Sequence, residues 1–185
     1  MLTANQILEK KIITLDPKVA EDFNIELEPA QMAIDLHVTS CDKVVGEGFI
    51  PKKGKTVIAS TLPQTPVDEF IDGKMTKVWK LSPGDYEIGF AEGCNFPLNA
   101  AGRIVHRSSL RRNCVEINSP LWDPNFHTER MGTFMVVRNP IIIEVRARVA
   151  QMIVFTSDEE ATAYQGQWMG TSTQAVDKAN GTFSH

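Results

Sequence analysis

The chain has 185 residues, of which 42% are hydrophobic and 23% charged, values typical of a soluble globular protein with one domain. Its formal net charge of -4 excludes a general nucleic-acid binder, since that function needs a basic face to neutralise the phosphates of a strand. No apolar run is long enough for a transmembrane helix, and the N-terminus lacks the apolar core of a signal peptide, so we expect a cytoplasmic protein without a membrane partner.

The predicted elements begin with one short helix and continue with strands. Thr3 and Gln6 have the spacing of a capping box, which predicts a helix start at the N-terminus. From residue 32 to residue 39 apolar and polar side chains alternate, which predicts a half-buried strand. Further short strands are predicted from β-branched and aromatic runs at 56–59, 78–81, 86–90, 134–137, 141–145 and 149–155.

Turn signals separate these runs, as in the segment SPGD at 82–85. Many short strands without repeated amphipathic helices predict an all-β or mainly β sandwich or barrel. We expect a single domain over residues 1–170, followed by a polar tail at 171–185 that is predicted to be mobile. The cysteines at 41, 94 and 114 are odd in number and have no CxxC spacing, which favours reduced thiols and carries no metal signature.

A dense basic cluster, HRSSLRRN, occupies residues 106–113 of this acidic chain. The guanidinium of Arg107 offers a planar fork of donors matched to phosphate oxygens, and the hydroxyls of Ser108 and Ser109 add neutral donors. This pattern predicts a site for an oligophosphate, and the mostly apolar stretch at 96–105 places it after a buried strand. The alternative interpretation is that the arginines form surface or intersubunit ion pairs.

A single carboxylate lies between two aromatic residues in the segment WDPNF at 122–126. Asp123 precedes a proline that fixes the backbone of the turn. Such an aspartate is either a turn former or a carboxylate with a chemical function, and composition alone leaves both interpretations open.

The order of these segments resembles the trimeric dUTPase and dCTP deaminase superfamily over most of the chain. The N-terminal helix and turn of the deaminase branch are similar to MLTANQILEKKIITLDP, and the first family motif is similar to QMAIDLHV. The second motif, Arg-Ser-Ser-Leu-Ala-Arg, is matched by RSSLRR, and the third by WDPNF. The fourth motif resembles RVAQMIVF, and the Tyr-x-x-Gln segment near the C-terminus resembles AYQGQWMG.

The resemblance implies a fold, an assembly and a class of substrate. The expected fold is a distorted jelly roll or β-clip, a dUTPase-like barrel with a short N-terminal helix. The expected assembly is a homotrimer with three active sites at subunit interfaces. The substrate would be a deoxynucleoside triphosphate that carries Mg²⁺ on its phosphates, without metal ligands from the protein.

The resemblance also implies roles for individual residues, carried over by position. Asp123 would contact the deoxyribose 3'-hydroxyl and orient the attacking water in the hydrolase branch, and Asp35 would support the site from the first motif. Tyr164 and Gln167 would belong to a closing C-terminal segment. The residues expected to contact the phosphates are Arg107, Ser108, Ser109, Arg112 and Gln151.

The two branches of the superfamily differ in the atom that water attacks. A dUTPase hydrolyses the α,β-phosphoanhydride, whereas a dCTP deaminase attacks C4 of the base and needs a glutamate to shuttle protons. Alignment on Asn139 puts Val136 at the glutamate position, and counting from Asp123 puts Thr133 there, so the proton carrier is missing. The prediction is therefore a dUTP diphosphatase, with a dCTP deaminase that uses a displaced Glu129 as the alternative.

The spacing between the second and third motifs also resembles the short hairpin of archaeal-type dUTPases. Departures from the family pattern include Asn113 and Cys114 where a glycine usually follows the second motif, Asn125 in the third motif, and Ala163 before the tyrosine. Asparagine tolerates a left-handed backbone better than cysteine does. These departures leave open a non-catalytic trimer that binds nucleotide or a partner protein, and a cellular or a viral origin.

Overall fold

The computed structural model describes residues 1–169, and within them the chain is mainly β, as predicted. The short helices are α1 (Ala4–Glu9), α2 (Pro17–Phe23) and α3 (Ser108–Arg112). The strands are β1 (Ile13–Leu15), β2 (Glu28–Ala30), β3 (Ala33–Val44), β4 (Thr61–Pro63), β5 (Val67–Ile71), β6 (Lys74–Leu81), β7 (Gly84–Phe90), β8 (Glu92–Asn95), β9 (Ala100–His106), β10 (Val115–Asn118), β11 (His127–Thr128), β12 (Gly132–Val137), β13 (Ile141–Glu144) and β14 (Arg148–Thr156). The predicted tail at 171–185 lies outside the described residues.

The largest sheet is organised around β3, which has 12 residues and changes partners along its length. Its N-terminal half pairs with β2 and β14, and its C-terminal half pairs with β7 and β4. The strand order is β10-β12-β7-β3-β14-β9, and this sheet curls into a nearly closed barrel. Two three-stranded sheets, β1-β8-β11 and β13-β6-β5, complete the fold.

Most of the predicted strands fall inside observed ones, but the strand predicted at 56–59 is wrong. Val57 forms an isolated bridge with Phe49, in which Phe49 N donates to Val57 O at 2.8 Å and Val57 N donates to Phe49 O at 2.9 Å. The turn between them contains Pro51, which has no N–H to donate, and Gly54 at a φ of 102°. The β-branched residues of this run therefore lie in an arm with a single bridging pair.

The helix α2 was not predicted, although its capping signals are present in the sequence. The Asp16 side chain accepts hydrogen bonds from Lys18 N at 2.9 Å and Val19 N at 3.1 Å, and a proline occupies the first turn. The helix ends at Asn24, which has a left-handed backbone with a φ of 50°. Because α2 has no buried residue, it lacks the apolar periodicity that identifies a helix in a sequence.

The N-terminal helix α1 begins at the predicted capping box. Thr3 N donates to Gln6 Oε1 at 2.9 Å, and Gln6 N donates to Thr3 Oγ1 at 3.4 Å. The cap directs Ile7 into the core, where it is fully buried. No helix within residues 1–169 is long and apolar enough to cross a membrane.

The three cysteines are free thiols, and two of them are buried. Burial raises the pKa of Cys41 to about 12 and raises that of Cys94 as well, so both remain protonated at neutral pH. Cys114 is only partly buried, and it connects α3 to β10 with a φ of 58°. A cysteine therefore adopts the left-handed backbone for which glycine is favoured. Asn125 adopts a φ of 67°, as its tolerance of this geometry predicted.

Replacing Cys114 by glycine should stabilise the fold. Glycine adopts the left-handed backbone without strain, but it loses more conformational entropy on folding than cysteine does. The net effect should be an increase of about 1 kcal/mol in the free energy of unfolding. Urea denaturation of the wild type, Cys114→Gly and Cys114→Ala measures the effect. The alanine variant keeps the strained backbone without the thiol and should show no gain, and an equal gain in both variants would contradict the explanation.

Candidate functional site

Three of the predicted site residues meet at the junction of β3, β14 and β9. Asp35 on β3 lies opposite Gln151 on β14, and Gln151 Nε2 donates to Asp35 Oδ1 at 2.8 Å. Arg107 follows β9 and forms an ion pair with Asp35 Oδ2. Asp35 is 4% exposed, so its carboxylate is a buried charge whose two oxygens are both engaged.

The helix α3 carries the rest of the second motif, and its side chains other than the buried Leu110 are exposed. Ser108 and Ser109 are exposed at its first two positions, next to the end of β9, and Arg112 is exposed at its last position. Arg111 lies 3.8 Å from Glu116 on β10, measured between Nη1 and Oε1. One arginine of the cluster is thus engaged in the surface ion pair that the alternative interpretation predicted, whereas Arg107 is bound to a buried partner.

A polar cleft of about 1180 Å³ borders this junction. Arg107 and Ser109 line it on one side, and Arg148 lines it from the start of β14. Glu28 and His37, which sequence reasoning did not identify, also line it. The guanidinium of Arg107 is partly exposed, so the donors that Asp35 leaves free are accessible to an anionic ligand.

Asp123 lies in a turn that is held by aromatic contacts. Phe126 N donates to Asp123 O at 3.1 Å across this turn. The Trp122 and Phe126 rings meet edge to face with centroids 5.2 Å apart. Trp122 Nε1 also donates to Ser119 Oγ at 3.0 Å, and Ile104 N donates to the same oxygen at 3.3 Å. The turn that carries Asp123 is therefore anchored to both β9 and the preceding hairpin.

A second cleft, of about 410 Å³ and mostly apolar in its lining, contains Asp123. Its polar side chains include Glu87 on β7 and Thr133 on β12. Glu87 was not identified from the sequence, because an acidic residue in an alternating strand is usually assigned to the solvent face. The other residues that line this cleft are Ile58, Ala59, Pro120, Leu121, Trp122, Phe126, Gly132, Phe134, Tyr164 and Trp168.

The segment after β14 folds back over this second cleft. Tyr164 N donates to Pro124 O at 3.0 Å, and the Tyr164 ring contacts Phe126 with centroids 5.4 Å apart. Gln167 accepts from Thr56 N at 3.1 Å and donates to Thr56 O at 3.0 Å. The predicted closing segment is thus joined to the arm that contains residues 45–60, and only Tyr164 of its two predicted residues lines the cleft.

The two groups of predicted residues do not line a common cavity in one chain. Among residues 1–169, Arg107 and Ser109 line the polar cleft, and Asp123 and Tyr164 line the apolar cleft. A ligand that contacts both groups in one copy of the chain has no single cavity to occupy. In one chain the predicted site residues are therefore divided between two clefts.

None of the three candidate positions for a deaminase glutamate places a carboxylate in the Asp123 cleft. Val136 is half-buried on β12 opposite Glu116, whose Oε2 lies 3.1 Å from Arg138 Nη2. The hydroxyl of Thr133 donates to a backbone carbonyl of β10 at 2.7 Å. Glu129 is exposed and does not line the Asp123 cleft. No proton carrier is supplied by Val136, Thr133 or Glu129.

The sequence matches known proteins over most of its length. Residues 3–157 match a family model described as dCTP deaminase-like. A probable deoxyuridine 5'-triphosphate nucleotidohydrolase from Halobacterium salinarum is 36% identical over 141 residues, which cover 76% of this chain and 82% of that protein. The deoxyuridine 5'-triphosphate nucleotidohydrolase of Methanocaldococcus jannaschii is 32% identical over 151 residues, covering 80% of this chain and 91% of that protein.

A solved structure shares the fold at low identity. The crystal structure of a 2'-deoxycytidine 5'-triphosphate deaminase from Agrobacterium tumefaciens superposes with a TM-score of 0.60 at 13% identity. The match covers 84% of this chain, which spans 46% of the length of that structure. At this identity the likeness concerns the barrel alone. Taken with the family model and the two sequence relatives, it shows that the chain belongs to the dCTP deaminase-like family, within the superfamily of dUTPases and dCTP deaminases.

Proposed function

We propose that this protein is a dUTP diphosphatase, which converts dUTP and water to dUMP and pyrophosphate. The observation that carries the proposal is Asp123, a carboxylate in a mostly apolar cleft in which Thr133, one of the two positions aligned with the deaminase glutamate, supplies no carboxylate. The relatives named as dUTP nucleotidohydrolases support the same reaction.

In this proposal the polar cleft binds the triphosphate. Arg107 supplies charged donors, and Asp35 together with Gln151 holds its guanidinium in a fixed orientation. Ser108 and Ser109 add hydroxyl donors at the adjacent end of α3. The exposed Arg112 and the amide of Gln151 complete the proposed set of phosphate contacts.

The apolar cleft would bind the nucleoside and position the water. The Asp123 carboxylate accepts a hydrogen bond from the attacking water and directs it at the phosphorus, and it also contacts the 3'-hydroxyl of the sugar. Tyr164 closes the cleft from the C-terminal segment, and Gln167 keeps that segment in place through Thr56. Exclusion of bulk water by the surrounding aromatic side chains strengthens the electrostatic contacts inside.

A homotrimer would join the two clefts into one site. The polar cleft of one subunit would face the apolar cleft of its neighbour, so that each interface forms a complete site. The separation of Arg107 and Asp123 into different cavities supports this arrangement. A closed ring of three identical interfaces gives three such sites.

Mg²⁺ would arrive with the triphosphate as part of the substrate. Among residues 1–169 no group of three or more His, Cys, Asp or Glu side chains could hold a metal ion. The donors of Arg107 and Ser109 fit phosphate oxygens rather than a cation. When bound, Mg²⁺ neutralises phosphate charge and assists departure of pyrophosphate.

The three free thiols are consistent with the reducing cytoplasm, where we place the enzyme.

Substitution of Asp123 by asparagine should nearly abolish dUTP hydrolysis. Loss of the carboxylate removes water activation, so kcat should fall about 10²-fold to 10⁴-fold. The assay measures pyrophosphate, monophosphate and ammonia from dUTP, dCTP and dTTP in the presence of Mg²⁺. The matched control is Asp158→Asn, an exposed position outside the cleft.

Three outcomes of this assay discriminate between the candidate functions. Pyrophosphate from dUTP that depends on Asp123 supports the proposal. Ammonia from dCTP identifies a deaminase and rejects it. Tight nucleotide binding in calorimetry without any product identifies a non-catalytic trimer.

Substitution of Arg107 by glutamine should weaken substrate binding. Each charge-assisted contact contributes about 1.5 to 3 kcal/mol, so KM should rise at least about tenfold. Glutamine can still donate to Asp35, which limits the loss of stability. Arg111→Gln on the same helix is the control and should keep the wild-type KM, since Arg111 lies against Glu116. Equal effects of both variants would contradict a specific phosphate contact.

Co-expression of Arg107→Gln and Asp123→Asn subunits should give more activity at low dUTP than either variant has alone. If the two residues come from different subunits, random assembly gives about a quarter of the sites both wild-type side chains. Pyrophosphate release at low dUTP from tagged, purified mixed trimers measures the recovery. Absence of any recovery in verified mixed trimers would show that each site draws both residues from one chain.

A further inference from the structure

Asp35, which pairs with Arg107, belongs to a series of charged side chains in which each contacts the next. Arg148 Nη1 lies 3.7 Å from Asp35 Oδ2, the same oxygen that pairs with Arg107. Arg148 also forms an ion pair with Glu28 Oε2. The second oxygen of Glu28, Oε1, lies 3.2 Å from His37 Nε2. The series therefore runs from His37 through Glu28 and Arg148 to Asp35 and Arg107.

The His37 ring is fixed at the inner end of this series. His37 Nδ1 lies 2.6 Å from Glu92 Oε1, and the backbone N of His37 donates to Glu92 Oε2 at 3.0 Å. Both residues are buried, and Glu92 comes from β8, a strand of a different sheet. Because both oxygens of Glu92 are engaged by one residue, the ring is held with Nε2 directed at Glu28.

The protonation state of His37 decides whether Nε2 donates a hydrogen bond to Glu28 or faces it with a lone pair. A cationic ring donates from Nδ1 to Glu92 and from Nε2 to Glu28. A neutral ring that keeps its proton on Nδ1 for Glu92 presents a lone pair to the Glu28 oxygen, and two acceptors at this distance repel. This repulsion moves the Glu28 carboxylate away from Nε2 and disturbs its pair with Arg148, so that Arg148 competes with Arg107 for Asp35.

The charged groups around His37 favour the cationic ring. Burial lowers the pKa of His37, but the hydrogen bond and charge of Glu92, followed by those of Glu28, raise it to a net value above 6.5. Arg148, the cross-strand partner of His37 on β14, contributes a positive charge to the same cleft. The interaction is therefore complete below pH 6.5 and is lost as the pH rises through the pKa of folded His37.

We propose that His37 and Glu28 are positioning residues, which hold Arg107 in its triphosphate-binding orientation through Arg148 and Asp35. Deprotonation of His37 then weakens substrate binding without changing the chemical step. This inference rests on the proposed role of Arg107 in binding the triphosphate. His37, Glu28 and Arg148 act on Arg107 in this proposal, and none of the three needs to touch the substrate.

Glu28→Gln tests the series, because the Glu28 side chain is half-exposed and its substitution leaves the packing of the hydrophobic core unchanged. Loss of a partly exposed ion pair should raise KM for dUTP about threefold at neutral pH, with kcat unchanged. The rise of KM with pH should disappear, because Glu28 is the link between His37 and Arg148. Glu9→Gln removes the same charge from an exposed position on α1 outside both clefts and is the matched control. A KM profile of Glu28→Gln that superimposes on the wild type would overturn the proposal.

A second readout does not depend on turnover. In NMR spectra of the wild-type protein, the His37 ring carbons report its titration, and the Arg107 Nε–Hε resonance should shift with the same midpoint. In Glu28→Gln the Arg107 resonance should no longer follow His37. An Arg107 resonance that ignores His37 in the wild type overturns the proposal. If the wild type hydrolyses no dUTP, the proposed function fails, and the positioning series is judged on these resonances.

Discussion

The ion pair between Asp35 and Arg107 is the interaction on which the rest of the site depends. A buried carboxylate destabilises a protein unless hydrogen bonds and opposite charge compensate its lost hydration. Here the compensation comes from two other strands, because Gln151 on β14 and Arg107 after β9 both engage Asp35 on β3. The pairing order of three neighbouring strands thus determines where the Arg107 guanidinium lies.

The second constraint is the division of the candidate residues between two clefts of different character. The cleft with Arg107 is polar, which suits a triphosphate, whereas the cleft with Asp123 is mostly apolar, which suits a base and a sugar. Aromatic contacts among Trp122, Phe126 and Tyr164 fix the second cleft and bring the C-terminal segment to it. The proposed trimer would appose unlike clefts, which would account for their separation in one chain.

The same barrel supports two reactions in this superfamily, and a few side chains decide between them. Water attack at phosphorus requires a carboxylate beside the phosphates, the role proposed for Asp123. Attack at the base requires a proton carrier beside the ring, and the aligned position in this chain is Val136 or Thr133. Glu116, which lies opposite Val136 on β10, is paired with Arg138. The electrostatics of the described residues therefore favour hydrolysis of the anhydride.

The sequence by itself determined the features that depend on neighbouring residues. Alternation indicated β3, and the spacing of Thr3 and Gln6 marked the start of α1. The HRSSLRRN cluster and the Asp123 turn pointed to residues that line the two clefts. Only the tertiary structure decided which partners these residues have. Arg107 meets Asp35 from 72 positions away, and His37 meets Glu92 from 55 positions away. Such pairs arise from strand order and sheet curvature, and a local pattern carries no record of either.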